Sequence, residues 1–566
     1  MRRPRLRLLL DDLSLVASTT LRGLADNPLQ FLVQANRRAK VIPAPRTRGA
    51  SAWAALRWFM ADRPEVAAEI LTGADAQRLR PARLAAWLQV HMGLRRATPL
   101  DSPRLRAHDA LQAGHLTEAA GLAPRRSAMR RRILSDLAVL APKRPPGGSR
   151  GVGRDAAHPK PLFVLTNSLP YTHSGYTTRT HAMLTALRAA GMEAEAVTRL
   201  GYPTTVGLPG KPATQRVDAV PYHRLSAPRL PLRTDERLAA QATGIVQLAR
   251  ALHPTVLHTT TDYTNGVATR QAAEELGVPW VYEMRGMLEM TWVASRPDLL
   301  REEAARSERV QLMRDKETEL AQAADAVIAL SHAQKSDLMA RGVPGSKITV
   351  IPNGIDESLL AVPAIAPAEA RASLGLDPEG FWVGSVSSLV EYEGFDVLLE
   401  AIALCRAEGL DVRGALVGHG VSSARLQGLV AALGLTDHVV LPGRKEPAEA
   451  QRWYQALDAF AVPRRDLEVT RMVTPLKPLA AMALNRPVIA SDLPALRELL
   501  TGDQGPAGAL VQPDSPAAVA EAIAGLATDE NRLRSLVAAG RAVAASRTWQ
   551  NAARRCHDIY REVQGG

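Results

Sequence analysis

From Leu162 onward, short apolar runs alternate with segments of helical periodicity, and few folds accept that alternation. LFVLT (162–166), EAEAVTR (193–199), TVLHTT (255–260), PWVYEMR (279–285), AVIALS (326–331) and KITVIP (347–352) read as strands. A continuous apolar run suits a parallel strand covered on both faces, and helices between such strands imply a doubly wound sheet. IPNGIDESLL (351–360) closes this half with an Asn-Gly turn. A second series follows: FWVGSVSS (381–388), GALVGHG (414–420), VVLPGR (439–444), DAFAVPR (458–464), PVIASD (487–492) and GALVQPD (508–514). The fold class is therefore α/β, two Rossmann-like doubly wound domains in tandem. They face each other across a cleft lined by strand C-termini, where open α/β sheets hold ligands.

Residues 1–141 have a different pattern. SAWAALRWFMA (51–61), PEVAAEIL (64–71) and PARLAAWLQVHMG (81–93) space their apolar residues as helices do. Trp53, Trp58 and Trp87 are expected to pin a small core there. PKRPPGGSRGVGRDAAHPKP (142–161) is rich in Pro, Gly and Arg and reads as a linker. The expected organisation is an all-α extension (1–141), the linker (142–161), a first Rossmann-like domain (162–365), a second (366–547) and a C-terminal helix (548–566).

Charge follows the same division. Residues 1–150 hold 27 Lys and Arg against 11 Asp and Glu, a net of +16, while the whole chain is +13 and the remainder thus −3. Basicity belongs to the extension, and it points to a membrane surface or an acidic protein partner. Nucleic acid is not expected, because no recognition motif or basic-aromatic interleaving accompanies the charge. Two cysteines, Cys405 and Cys556, make neither a disulfide framework nor a zinc pattern. Asp11 and Asp12 interrupt the leading apolar run, so it does not read as a signal peptide. With no run of ~18–20 apolar residues, the expected location is cytoplasmic, peripheral at the inner face of the membrane.

The stretch Pro463–Asp492 carries the most chemistry. It reads as strand end, basic loop, helix and strand, the helix starting near Thr474-Pro475 with Leu479, Met482 and Ala483 inward. Pro475 and Pro478 suit a first helical turn, whose free N–H groups attract anions. Lys477 lies in that turn, and Arg464, Arg465 and Arg471 precede it. The segment reads either as a phosphate-binding loop or as a solvated basic cap.

Across roughly 160–560 the chain resembles glycosyltransferase family 4, the retaining enzymes of GT-B architecture. The resemblance rests on HSGYTTRTH (173–181), VLHTTTDYTNG (256–266), ADAVIALSHAQKSDLMARGVPGSKITVIPNGID (324–356), YEGFDVLLEAI (392–402), LPGR (441–444) and TPLKPLAAMALNRPVIASDLPALREL (474–499), in order and spacing. It implies transfer of a sugar, with retention, from a nucleotide-sugar donor to a glycan, lipid-linked or small-molecule acceptor in cell-envelope or polysaccharide synthesis. The second domain would hold the donor and the first the acceptor. No cofactor and no metal are implied, because cationic side chains and a helix N-terminus neutralise the diphosphate. The family's C-terminal helix crosses back to the first domain, which suits 548–563.

Carried onto this chain, the resemblance makes His258, read as ending its strand at the cleft, the catalytic-side candidate. Donor-side candidates are Gly418, Arg444, Arg471, Thr474, Lys477 and Glu498; acceptor-side candidates are Gly175, Arg179, His181, Arg285 and Glu289. Asp514 reads as a helix N-cap. The family's donor-site glutamates, eight positions apart, fall on Met472 and Ala480 here, and its Arg/Lys pair falls on Ser388 and Glu393. Those departures keep two further readings open: a non-catalytic GT-B scaffold, and a GT-B epimerase or hydrolase.

Overall fold

The structure is a computed structural model describing residues 14–20, 36, 49, 51–61, 63–73, 76–94, 102–142, 158–296, 298–502 and 505–565. The leading run through Asp12 and most of the expected linker, 143–157, lie outside the described residues. The chain forms two compact units. One takes the described residues of Met1–Thr172, Ala194–Glu283 and Met287–Asp325; the other takes His173–Glu193, Met284–Gly286 and Ala326–Gly566.

In the first unit the helical region comprises Ala52–Met60, Pro64–Thr72, Ala82–His91, Pro103–Ala113, Leu116–Leu122 and Ala128–Leu140. Ala52, Ala55, Ala67, Leu71 and Leu88 form its buried core, with Trp58 and Trp87 packed against it. Trp53 does not join them and is 58% exposed. It sits one position off the stripe of Ala52, Ala55 and Met60 that faces inward, and one position is about 100° of rotation on a helix.

These helices are fastened to the α/β part of the same unit by polar side chains. The Ser135 hydroxyl donates to Asp235 at 2.6 Å, and the Thr234 hydroxyl donates to Asp136 at 2.6 Å. The buried Lys316 ammonium donates to the Ala141 carbonyl at 2.7 Å. The backbone N–H groups of Thr117 and Arg309 donate to the Glu308 carboxylate and the Gly114 carbonyl. Gly114 ends its helix at φ +91°, and a Cβ there would lie 2.3 Å from the Ser307 hydroxyl. Acidic groups of the less basic part, Asp235 and Glu308, thus meet the basic extension directly.

The sheet of this unit uses β1 (Pro161–Leu165), β2 (Glu195–Thr198), β3 (Thr214–Val217), β4 (Val220–Arg224), β5 (Val256–Thr260) and β6 (Trp280–Met284). They neighbour one another in the order β3-β4-β2-β1-β5-β6. All pairings are parallel except the β3–β4 hairpin. That hairpin was not expected: TQRV carries no apolar run, and its residues alternate only between exposed and half-buried. At the ends of β5 and β6 the fully buried Glu317 carboxylate accepts from the Tyr282 hydroxyl and, at 2.6 Å, from the Tyr263 N–H. Burial raises its pKa to about 8, with Glu289 and Asp262 adding to the rise.

The second unit contains a parallel pair, β7 (Ala326–Ala329) and β8 (Ile348–Val350). It also contains β9 (Phe381–Val386), β10 (Val412–Val417), β11 (Val439–Gly443), β12 (Ala459–Val462), β13 (Val488–Ser491), the short hairpin β14 (Thr501–Gly502) and β15 (Gly505–Pro506), and β16 (Ala509–Val511). The order β11-β10-β9-β12-β13-β16 is wholly parallel. Its two faces are covered separately, one around Leu398, Ile402 and Ile523, the other around Phe460, Leu479 and Leu496. The C-terminal helix Trp549–Gly565 packs along the helix Gly175–Ala189, with Cys556 Sγ 3.9 Å from Met183 Sδ. Among the described residues no helix is long and apolar enough to cross a membrane.

Gly114→Ala forces a Cβ into Ser307 at a left-handed backbone, so unfolding in urea should show a loss of about 2 kcal/mol or more. Glu317 should leave a pH signature. Its folded pKa of about 8 exceeds its reference of 4.5, so the folded chain binds the extra proton and its stability falls as pH rises between those values. Glu317→Gln should flatten that decline, measured by denaturant titration at pH 5, 6.5 and 8.

Candidate functional site

In the second unit the loop after β9 lies directly on the ends of β10 and β12. Ser387 N–H donates to the Val417 carbonyl at 2.8 Å, and Leu389 N–H to the His419 carbonyl at 3.2 Å. Two glycines permit this approach. Gly418, at φ +146°, would place a Cβ 1.7 Å from the Ser387 carbonyl oxygen, and Gly394, at φ +70°, would place one 1.9 Å from that of Pro463. No side chain fits either space, so Ser387, Glu393 and Arg464 are brought together by backbone contact.

Glu393 and Arg464 are each 6% exposed. Arg464 Nη2 lies 2.9 Å from Glu393 Oε1 and Nε 3.3 Å from Oε2, a forked pair. Arg464 Nη1 also donates to the Val473 carbonyl at 2.9 Å, fixing the loop that leads to Lys477. Burial alone would raise the Glu393 pKa; Arg464 and Lys477 outweigh it and hold the carboxyl below its usual range. Lys477 donates to the Ser387 hydroxyl. Burial pulls its pKa down, opposed by Glu393 and reinforced by Arg464.

The same loop is held from its other side. Asn353, of the Asn-Gly turn, donates from Nδ2 to the Thr474 carbonyl at 2.8 Å. Asn353 Oδ1 accepts from Arg179 at 2.9 Å, and Arg179 further donates to the carbonyls of Ile351 and Pro352, each at 3.0 Å. Gly175 opens the 15-residue helix Gly175–Ala189, capped by Ser174. A Cβ at Gly175 would lie 3.8 Å from Leu476, next to Lys477.

These positions correct several expectations. The helix expected from Thr474-Pro475 begins at Lys477 and runs only to Ala483, and the basic loop before it contains another short helix, Glu468–Met472. Thr474 precedes a proline, which disfavours helical backbone, and Asn353 holds its carbonyl outside the helix. Leu479, Met482 and Ala483 do face inward. Asp514 does not cap; Ser515 does, and Asp514 at φ +56° accepts from Arg465 instead. His258 does not end its strand. β5 continues through Thr260, and the ring is fully buried, stacked on Phe163 and 3.3 Å from Glu283.

Arg179 is 2% exposed and committed to the carbonyls of Ile351 and Pro352 and the Asn353 side chain. His181, two residues on, is half-buried. Arg285 is buried and donates to the Tyr176 carbonyl and the Thr180 hydroxyl; Glu289, in the first unit, is 1% exposed. Glu498 accepts from the His332 N–H at 2.7 Å and so caps the helix His332–Ala340. Arg471 pairs with Asp466 at the surface, Arg465 with Asp396 and Asp514. Arg444 is exposed.

Of the donor-side candidates, then, Gly418, Thr474 and Lys477 are brought together, with Gly175 alongside; Arg444, Arg471 and Glu498 are not. Three neighbours had not been singled out as site residues: Ser387, Glu393 and Asn353. A Glu two residues before Phe395 and an Arg at the end of β12 carry no local pattern linking them. Only Asn353 had a signal, in its Asn-Gly turn.

Two family models match the chain in tandem: a glycosyl transferase 4-like domain over residues 174–354, and glycosyl transferases group 1 over 378–529. The lipopolysaccharide core biosynthesis mannosyltransferase LpsB of Rhizobium meliloti is 35% identical over 38% of this chain, a match spanning 59% of its own length. The D-inositol 3-phosphate glycosyltransferase of Streptomyces scabiei is 28% identical over 74% of this chain and 94% of itself. Among solved structures, the sucrose-phosphate synthase of Thermosynechococcus elongatus superposes with a TM-score of 0.56 at 22% identity, covering 71% of this chain and 98% of its own. HepE of Anabaena, in complex with UDP, gives 0.55 at 19% identity over 70% and 98%. With two Rossmann-like parallel sheets and both models matched in order, the chain belongs to the family 4-like, group 1 glycosyltransferases of GT-B fold.

Proposed function

We propose that this glycosyltransferase takes a sugar from a nucleotide-sugar donor held by the second unit and transfers it, with retention, to a glycan, lipid-linked or small-molecule acceptor in cell-envelope or polysaccharide synthesis. The carrying observation is Lys477, a half-buried ammonium beside the Ser387 hydroxyl and one residue past Leu476, which lies at the start of the Gly175 helix. A cation partly shielded from water interacts more strongly with an arriving anion than one on an open surface. The N–H groups opening a 15-residue helix favour the same charge. The helix Lys477–Ala483 is too short to add much of its own.

In this reading the donor diphosphate lies against Lys477, Ser387 and the Gly175 helix start. These groups stabilise the negative charge that grows on the leaving phosphate as the glycosidic bond breaks. Retention then requires the acceptor hydroxyl to attack from the face the phosphate leaves, and the departing phosphate oxygen takes the hydroxyl proton. His258 supplies no proton in this scheme, being sealed within β5. Cationic side chains rather than a metal carry the charge compensation. UDP is the first probe, since HepE binds it.

A second reading is a non-catalytic scaffold. Met472 and Ala480 favour it, because they offer no hydrogen bond to donor hydroxyls where the family's glutamates stand. One experiment separates the two: a panel of nucleotide sugars, with nucleotide release followed by mass spectrometry. Release with at least one donor supports the transferase, and no release and no nucleotide binding supports the scaffold. For an active donor, Lys477→Ala should raise KM and lower kcat together. The loss of kcat/KM should be about 10- to 100-fold, as befits one charge-assisted hydrogen bond. Unchanged kinetics would remove Lys477 from the site.

A further inference from the structure

We infer that Glu393 is a positioning residue of the donor site, setting through Arg464 and Lys477 how a nucleoside diphosphate is held. The inference rests on the donor reading above and adds a residue to it. Three observations carry it. Glu393 and Arg464 form a forked pair sealed from solvent. Arg464 also donates from Nη1 to the Val473 carbonyl, four residues before Lys477. Lys477 reaches the backbone segment that bears Glu393, through Ser387.

The three charges sum to one positive charge. Arg464 is paired with Glu393 and tied to Val473, so the remaining positive charge belongs functionally to Lys477. Glu393 has two consequences for it. Mechanically, Glu393 orients the Arg464 guanidinium, which holds Val473 and with it the loop Val473–Leu476. Electrostatically, its carboxylate favours the charged ammonium against burial and against Arg464. Few other groups enter: the Ser387 hydroxyl, which Lys477 itself contacts, and Tyr392, whose hydroxyl is perturbed by both Glu393 and Arg464. A bound diphosphate would add a negative charge beside Lys477 and favour its protonation, so binding takes up a proton once pH exceeds the free-state pKa of Lys477.

The position is where the resemblance places a cation, and a carboxylate stands there instead. A carboxylate facing an incoming diphosphate would repel it. Here Arg464 neutralises it and turns it into a strut, so the reversal of charge at 393 is compensated by the arginine at the end of β12. A departure from the family pattern thus becomes a statement about how this chain compensates for it.

The test is calorimetric titration of UDP, GDP and ADP into the full chain from pH 6.5 to 9.5, for wild type, Glu393→Gln and the double variant Glu393→Gln/Arg464→Met. Wild-type affinity for at least one nucleotide should fall across the alkaline range. In Glu393→Gln that fall should begin at lower pH, leaving binding about tenfold weaker than wild type at pH 8.5 and less affected at pH 6.5, a tenfold change being one unit of coupling. A structural role alone would weaken binding equally at every pH. Should Glu393→Gln not fold, the double variant, which leaves neither member of the Glu393–Arg464 pair unpartnered, should fold and bind more weakly at every pH through the released Val473 loop, with a smaller shift of its fall because Arg464 no longer opposes the Lys477 charge. Equal pH midpoints in wild type and a folded Glu393→Gln, or undiminished binding by the double variant, overturn the assignment of Glu393 while leaving the donor site standing. A wild type that binds none of the three nucleotides overturns both.

Discussion

A loop can lie flat on the ends of two strands only where the backbone leaves room, and here that room comes from Gly394 and Gly418. The carbonyls of Ser387 and Pro463 occupy the volume a Cβ would need. That contact places Glu393 against Arg464 and Ser387 against Lys477. The ion pair forms inside a wall of backbone, so it is desolvated and has fixed geometry. Removing one partner of such a pair costs more than the pair is worth, because the survivor keeps a buried charge. The strut from Glu393 through Arg464 to Val473 therefore fixes the loop before Lys477 by constraint more than by attraction.

The opposite side of the loop is fixed by Asn353, which links the Thr474 carbonyl to Arg179. Two independent anchors, one charged and one neutral, hold Val473 and Thr474. Lys477, three residues on from Thr474, makes its hydrogen bond to the Ser387 hydroxyl rather than to a carboxylate. The neighbouring arginines look equivalent in sequence and are not. Arg465 and Arg471 are paired with aspartates, and Arg464 is internal. A basic loop in sequence becomes one cation hydrogen-bonded to a hydroxyl and three that are internal or paired with aspartates at the surface.

The fold was largely legible because apolar runs of parallel strands leave a strong pattern. The β3–β4 hairpin escaped for the converse reason, having a half-exposed, polar strand. Site residues were less legible. Lys477, Thr474, Gly418 and Gly175 sit in loops beside a helix start or a strand end, where local sequence speaks. Arg179, Glu498 and His258 stand in equally suggestive places, yet each is engaged within the fold, holding 351–353, accepting from the His332 N–H, or filling β5. What distinguishes them is which neighbour the fold supplies, and no spacing along the chain encodes that. Trp53 shows the same limit on a helix, where one position separates core from water. The basic extension likewise joins the α/β part of its own unit through Asp235 and Glu308, partners remote in sequence.

The central claim is that the loop around Lys477, together with the loop after β9, holds the donor diphosphate. Hydrogen exchange in the presence and absence of a bound nucleoside diphosphate tests it most directly. The account predicts slowed exchange confined mainly to residues 385–394 and 473–479 and the start of the Gly175 helix. Protection elsewhere, with those segments unchanged, would contradict it.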